Sequence, residues 1–120
     1  MKVLVVDDNR MLASTIQEIL EDDGIVVMPA KDGVDGYSAY LVFKPDMVIT
    51  AVQMPRRSGV EMMHRIRNHN PMIRTVYMSG NMSSIRPFLH EEAKRYPVRF
   101  FEKPFSMESL KQAVGRAEIH

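Results

Sequence analysis

Val3-Leu4-Val5-Val6-Asp7-Asp8-Asn9 decides how the rest of the chain reads. Four apolar residues in a row, three of them β-branched, stop abruptly at two acids. A short run with no polar residue inside it suits a strand buried on both faces, as in a parallel sheet. Comparable runs recur: Ile25-Val26-Val27-Met28, then Met47-Val48-Ile49-Thr50 after the turn signal Lys44-Pro45-Asp46, then Ile73-Arg74-Thr75-Val76-Tyr77-Met78, then Val98-Arg99-Phe100-Phe101. Five such runs at this spacing read as five strands.

Helical patterns separate them. Met11, Leu12, Thr15, Ile16, Ile19 and Leu20 follow i, i+3/i+4 spacing, and Gly24 stands just past them as a stop. Gly33 to Val42 reads as a second helix, weakened by Gly36. Ser58-Gly59-Val60-Glu61 has the pattern of a capping box and opens a third, with Val60, Met63 and Ile66 on one face. A fourth runs from Ser83 to Arg95, with Pro87 expected in its first turn. Ser106 caps a fifth, which turns Leu110, Ala113 and Val114 inward. The eleven methionines read mostly as filler on these apolar faces. Strict alternation of strand and helix implies an α/β fold, a doubly wound five-stranded parallel sheet with five helices on its two faces, a three-layer sandwich. In such a sheet, chemistry sits at the carboxyl ends of the strands.

At 120 residues the chain reads as one domain, 1–120, large enough to bury a core without staples. It has no cysteine, which excludes disulfides and thiolate chemistry and is compatible with a reducing, cytoplasmic setting. No apolar run approaches the roughly 18 residues of a membrane span, and the start is too short and too acidic for a signal peptide. The net charge of +1 gives no global pull toward nucleic acid. Its distribution is uneven: residues 1–55 carry −5 and residues 56–120 carry +6, which reads either as the ordinary asymmetry of a small domain or as a basic, partner-facing surface on the second half. The histidines, His64, His69, His90 and His120, show no metal-ligand spacing and read as surface or helix-end residues.

The strand ends gather a constellation. Asp7-Asp8-Asn9 follows the first strand, Ser79-Gly80 the fourth and Glu102-Lys103-Pro104-Phe105 the fifth. Each alone is a common surface turn. Together, two acids, a hydroxyl and an ammonium at one rim suit a Mg²⁺ and phosphate site, with the acids on the metal and the other two on phosphoryl oxygens.

With Met54-Pro55 and Ser58-Gly59 after the third strand, the order and spacing of these motifs resemble a response-regulator receiver domain over the whole chain. The resemblance implies a flavodoxin-like strand order 2-1-3-4-5, Mg²⁺ binding, and phosphorylation of an aspartate by a histidine kinase or phosphotransfer protein. Carried over residue by residue, Asp8 is the main metal carboxylate, Asp7 binds through water and the Gln53 backbone carbonyl is a further ligand. Ser79 and Lys103 hold the phosphoryl group, and Phe100 matches the aromatic residue of the switch. The face of the fourth helix, fifth strand and fifth helix implies contact with an output protein or domain, or with a second copy. No direct contact with nucleic acid or membrane is implied.

One position departs from the pattern. The acceptor aspartate of this family lies three residues before the methionine of Met-Pro, and here that residue is Ala51. Alanine offers neither a nucleophilic oxygen nor a metal ligand. Two explanations stand: a natural pseudo-receiver acting as a phosphorylation-independent binding module, or a deliberate Asp→Ala replacement in an ordinary receiver. The survival of the acid pair, hydroxyl, lysine and Met-Pro favours the second. Weakened Mg²⁺ binding is expected, with Lys103 leaning toward Asp7 or Asp8. The switch is expected in its inactive arrangement, with Ser79 turned away from the site and Phe100 on the outer side near the fourth helix. A second departure is the segment 86–99, which has Lys-Arg-Tyr-Pro where a small Gly-Ala pair usually precedes the last strand.

Rival functions fit less well. A flavin or nucleotide site wants a glycine- or hydroxyl-rich loop after the first strand, where this chain has acids. An aspartate phosphatase wants a second acid two residues after its nucleophile, where this chain has Asn9 or Arg10. The expectation is a signalling module and not an enzyme, either standing alone or cut from a longer regulator.

Overall fold

The ten elements alternate without exception. They are β1 (Lys2–Val6), α1 (Arg10–Asp22), β2 (Val26–Ala30), α2 (Gly33–Phe43), β3 (Met47–Ala51), α3 (Gly59–Arg67), β4 (Arg74–Ser79), α4 (Met82–Arg95), β5 (Val98–Glu102) and α5 (Met107–Ile119). The structure, a computed structural model, describes the backbone of residues 1–119 and side chains through residue 115, so His120 lies outside the described residues. All strand pairs are parallel and the sheet order is β2-β1-β3-β4-β5. The doubly wound sheet and its strand order are therefore as the sequence reading expects.

The central strands show why their sequences lack alternation. Val3 to Val6 and all of β3 are buried, because helices cover both faces of the sheet there. Alternate residues feed two cores. Val3, Val5, Ile49, Val76 and Met78 meet Ile16, Leu20, Leu110 and Val114 on the side of α1 and α5. Leu4, Val6, Val48 and Tyr77 meet Tyr40, Met62, Met63, Ile66 and Leu89 on the side of α2, α3 and α4. The edge strands β2 and β5 are only partly buried, and the edge position of β2 tolerates Pro29 within it.

Several expectations shift. β2 begins at Val26 and runs to Ala30, two residues past the apolar run that announced it. In α1 the buried line is Ala13, Ile16 and Leu20, while Met11 is 83% exposed and Thr15 is also outside. In α3, Met62 joins Met63 and Ile66 in the core, and Val60 is only half-buried. Helix α4 starts at Met82, which makes Pro87 its sixth residue and an interior one. A proline there deletes a hydrogen bond of the helix, so the first-turn placement is corrected. Gly36 does not weaken α2 to the point of breaking it: its Cα side faces Val6 and the Met62 sulfur, where a β-carbon would collide. Ser58 caps α3 through the Glu61 N–H at 3.2 Å, and the Ser106 hydroxyl accepts from the Ser109 N–H at 3.0 Å at the start of α5.

Candidate functional site

The carboxyl ends of β1, β3, β4 and β5 place the sequence-predicted residues along one rim. Asp7 directly follows β1 and is 1% exposed. An isolated carboxylate so deep is costly, and both of its oxygens are engaged. The Asn9 N–H donates to Oδ1 at 2.9 Å, and the Lys103 ammonium donates to Oδ2 at 2.9 Å. Lys103 reaches across because its own N–H donates to the Ser79 carbonyl at 2.8 Å, which ties the end of β5 to the end of β4. Asp8, its neighbour, is exposed and forms no ion pair among the described residues. A cavity of about 400 Å³ opens beside Asp7, lined also by Arg10, Lys31 and Asp35.

Ala51 is the last residue of β3, 1% exposed and in register with Met78, one residue before Ser79. The turn after it is close-packed. The Thr50 hydroxyl donates to the Ala51 carbonyl at 2.8 Å, and Gly59 lies so close that a β-carbon would collide with that same carbonyl oxygen. Gln53, two residues on, turns its side chain to β4: the Ser79 hydroxyl donates to Gln53 Oε1 at 2.9 Å and accepts from the Asn81 N–H at 3.0 Å. The sequence reading assigned Gln53 only a backbone carbonyl, so this side-chain contact was missed. Polarity alone could not have signalled it, because the contact depends on how β3 and β4 end side by side.

A second missed contact lies below. Asp32 caps α2, accepting from the Val34 and Asp35 N–H groups at 3.0 and 2.9 Å, and Arg56 grips it at 2.8 Å while reaching Asp35 at 3.0 Å. The hydrogen bond from Arg56 holds the Asp32 carboxyl below its usual range. Arg56 has φ +67, and the Arg57 N–H donates to the Pro55 carbonyl at 2.8 Å, so the loop that carries Gln53 makes a tight turn fastened to α2. Asp32 before Gly33 is a legible cap signal; Arg56 as its partner is not.

Phe100 is half-buried on the α2–α3–α4 side, opposite Tyr77 in the sheet register, with its ring centroid 5.4 Å from that of His90 on α4. The other described histidines are exposed, and His69 meets the Tyr37 hydroxyl at 2.7 Å. Thus Asp7 meets Lys103, Ser79 meets Gln53, Asp8 stands free at the rim, and Phe100 sits apart beside α4. Among the described residues no three His, Cys, Asp or Glu side chains converge as a ligand set. Asp7 and Asp8 are two adjacent carboxylates at this rim, and Mg²⁺ commonly binds through one or two with water filling the rest, so their chemistry suits that ion.

The sequence matches the response regulator receiver domain family over residues 3–115. It is 34% identical over 104 residues to a protein-glutamate methylesterase/protein-glutamine glutaminase of Haloarcula marismortui, covering 86% of this chain but 28% of that protein. It is 26% identical to the chemotaxis protein CheY of Halobacterium salinarum, covering 91% of this chain and 92% of that one. The fold superposes on the chemotaxis response regulator CheY4 of Vibrio cholerae with a TM-score of 0.82 at 25% identity, over 96% of each chain. No described helix is long and apolar enough to cross a membrane. With the sheet order, the rim at the strand ends and the family match in agreement, this chain belongs to the response regulator receiver domain family and is a module of two-component signalling.

Proposed function

We propose that this chain is a receiver domain that cannot accept a phosphoryl group, because Ala51 stands at the acceptor position. One observation carries the reading: the last residue of β3, buried at the rim beside Ser79, is a methyl group without an oxygen. The neighbours retain what an ordinary receiver needs. Asp8 would hold Mg²⁺ directly, Asp7 through water and Gln53 through its carbonyl; the bound ion would neutralise negative charge on a phosphoryl group. Ser79 and Lys103 would contact phosphoryl oxygens. The intact set favours Ala51 as a deliberate replacement of aspartate in an ordinary receiver. Its parent form would take phosphate from a histidine kinase or phosphotransfer protein in the cytoplasm. It would signal to an output protein or domain, or a second copy, through α4, β5 and α5. The module acts by binding and not as an enzyme.

The Asp7–Lys103 pair gives the second reading its support. It neutralises the deepest acid from within the chain itself, as a natural pseudo-receiver would need. Half-burial of Phe100 against α4 accords with an inactive switch, since no phosphate is available to draw Ser79 and shift the equilibrium. The test is to restore Ala51→Asp and offer both chains a phosphorylated histidine kinase with Mg²⁺. Labelling of the Ala51→Asp chain alone is expected for a replaced acceptor. Failure of that variant to label, with its fold intact, would favour the pseudo-receiver.

A further inference from the structure

Helix α4 is fastened unevenly. Of its fourteen residues only Met82 and Leu89 are buried, and both lie before its last six positions. From His90 to Arg95 no apolar side chain reaches the core; His90, Ala93 and the basic pair Lys94-Arg95 are exposed. Asn81 gives the helix no side-chain cap, and Pro87 interrupts its backbone ladder. A surface helix is normally held by an apolar stripe along its whole length. The second half of α4 has none.

A buried arginine takes its place. Arg67, the last residue of α3, is 7% exposed. One terminal nitrogen donates to the Glu92 carboxylate at 2.8 Å and to the Tyr77 hydroxyl at 3.4 Å; the other donates to the Thr75 hydroxyl at 3.1 Å. The Tyr77 hydroxyl donates to the same Glu92 oxygen at 3.3 Å, and burial pushes its pKa up to about 12, so it stays a neutral donor. The Tyr96 ring covers the guanidinium at 4.3 Å, and the Tyr96 N–H donates to the Glu92 carbonyl at 2.9 Å. The planar fork of arginine suits such a three-sided grip, and the buried charge is tolerated because it is paired. Glu92 and Tyr96 both belong to the unusual segment 86–99, which the family pattern left unexplained. The same half-helix carries His90, whose ring lies against Phe100, and Phe100 is opposite Tyr77 in the sheet.

We propose that Arg67 is the anchor of the C-terminal half of α4: the Arg67–Glu92–Tyr77 cluster, and not apolar packing, fixes how residues 90–96 are presented to a partner and keeps His90 against Phe100. The anchor needs neither Mg²⁺ nor phosphate, so it holds whether or not position 51 is an acceptor.

Amide hydrogen exchange of the full chain, read by mass spectrometry, tests it. In Glu92→Ala, peptides covering residues 88–96 should exchange faster by on the order of tenfold, while those covering α1 keep their rates. Glu92→Gln retains an acceptor and should show a smaller acceleration confined to the same peptides. Glu91→Ala removes only the exposed contact with Lys94, 3.0 Å long, and should change nothing. The Phe100 ring resonances should shift in Glu92→Ala and not in Glu91→Ala. Equal acceleration in α1 and α4, or unchanged rates across 88–96, would overturn the proposal. Should Glu92→Ala not fold, Glu92→Gln decides it by the same two criteria.

Discussion

At position 51 a buried methyl group ends β3 at the rim of the sheet. Around it, side chains pair with each other: Lys103 with Asp7, and Ser79 with Gln53. On the proposed reading, Mg²⁺ would have to compete with the first of these pairs and would find one carboxylate fewer. Titration of Mg²⁺ followed by NMR should therefore give weaker binding in this chain than in Ala51→Asp; coincident curves would contradict the ligand assignment. Asp32 makes a different prediction. Its carboxyl is held below the ordinary value of 3.8, chiefly by the hydrogen bond from Arg56. A depressed carboxyl stabilises the fold above its unfolded pKa and loses that contribution as pH falls through the folded value. Asp32→Ala should thus be destabilised near neutral pH, the lost helix cap alone costing about 1 kcal/mol. The gap from the parent in urea midpoints should narrow as the pH is lowered below that ordinary value.

Among the elements, the strands were the most legible and α4 the least. Short, mostly apolar, β-branched runs announced β1 and β3, because strands covered on both faces are built that way. The reading missed the extension of β2 through Pro29, since an edge strand relaxes the rule against proline. It misplaced Pro87 because a proline in a helix is expected at the start, where its missing N–H costs least. The true start, Met82, is marked by burial of its side chain and not by a cap. Pro87→Ala should restore a helical hydrogen bond and raise stability by about 1–2 kcal/mol after the entropy lost from the unfolded chain is set against it. An unchanged or lower melting temperature would show that the interruption is not a cost. At α3 the opposite holds. Gly59→Ala places a β-carbon against the Ala51 carbonyl and should cost about 1–3 kcal/mol, a loss that calorimetry would read directly. The rim residues were legible as types at strand ends. The contacts of Gln53 with Ser79, Arg56 with Asp32 and Arg67 with Glu92 were not, since each joins residues at least 24 positions apart in sequence.

At the scale of the molecule, a single parallel sheet brings three strand ends with separate chemistry to one rim and sets α4 at its side. The sheet has five strands in order, an apolar core backs each face, and the rim carries two acids, a hydroxyl and a lysine. On the proposed reading only the nucleophile is missing, and the question is whether any other rim residue can replace it. Incubation with acetyl phosphate and Mg²⁺, followed by intact mass measurement, puts that question most directly. The chain as it stands should keep its mass while Ala51→Asp gains one phosphoryl group. A phosphoryl adduct on the unaltered chain at any rim residue would show that another side chain serves as the acceptor.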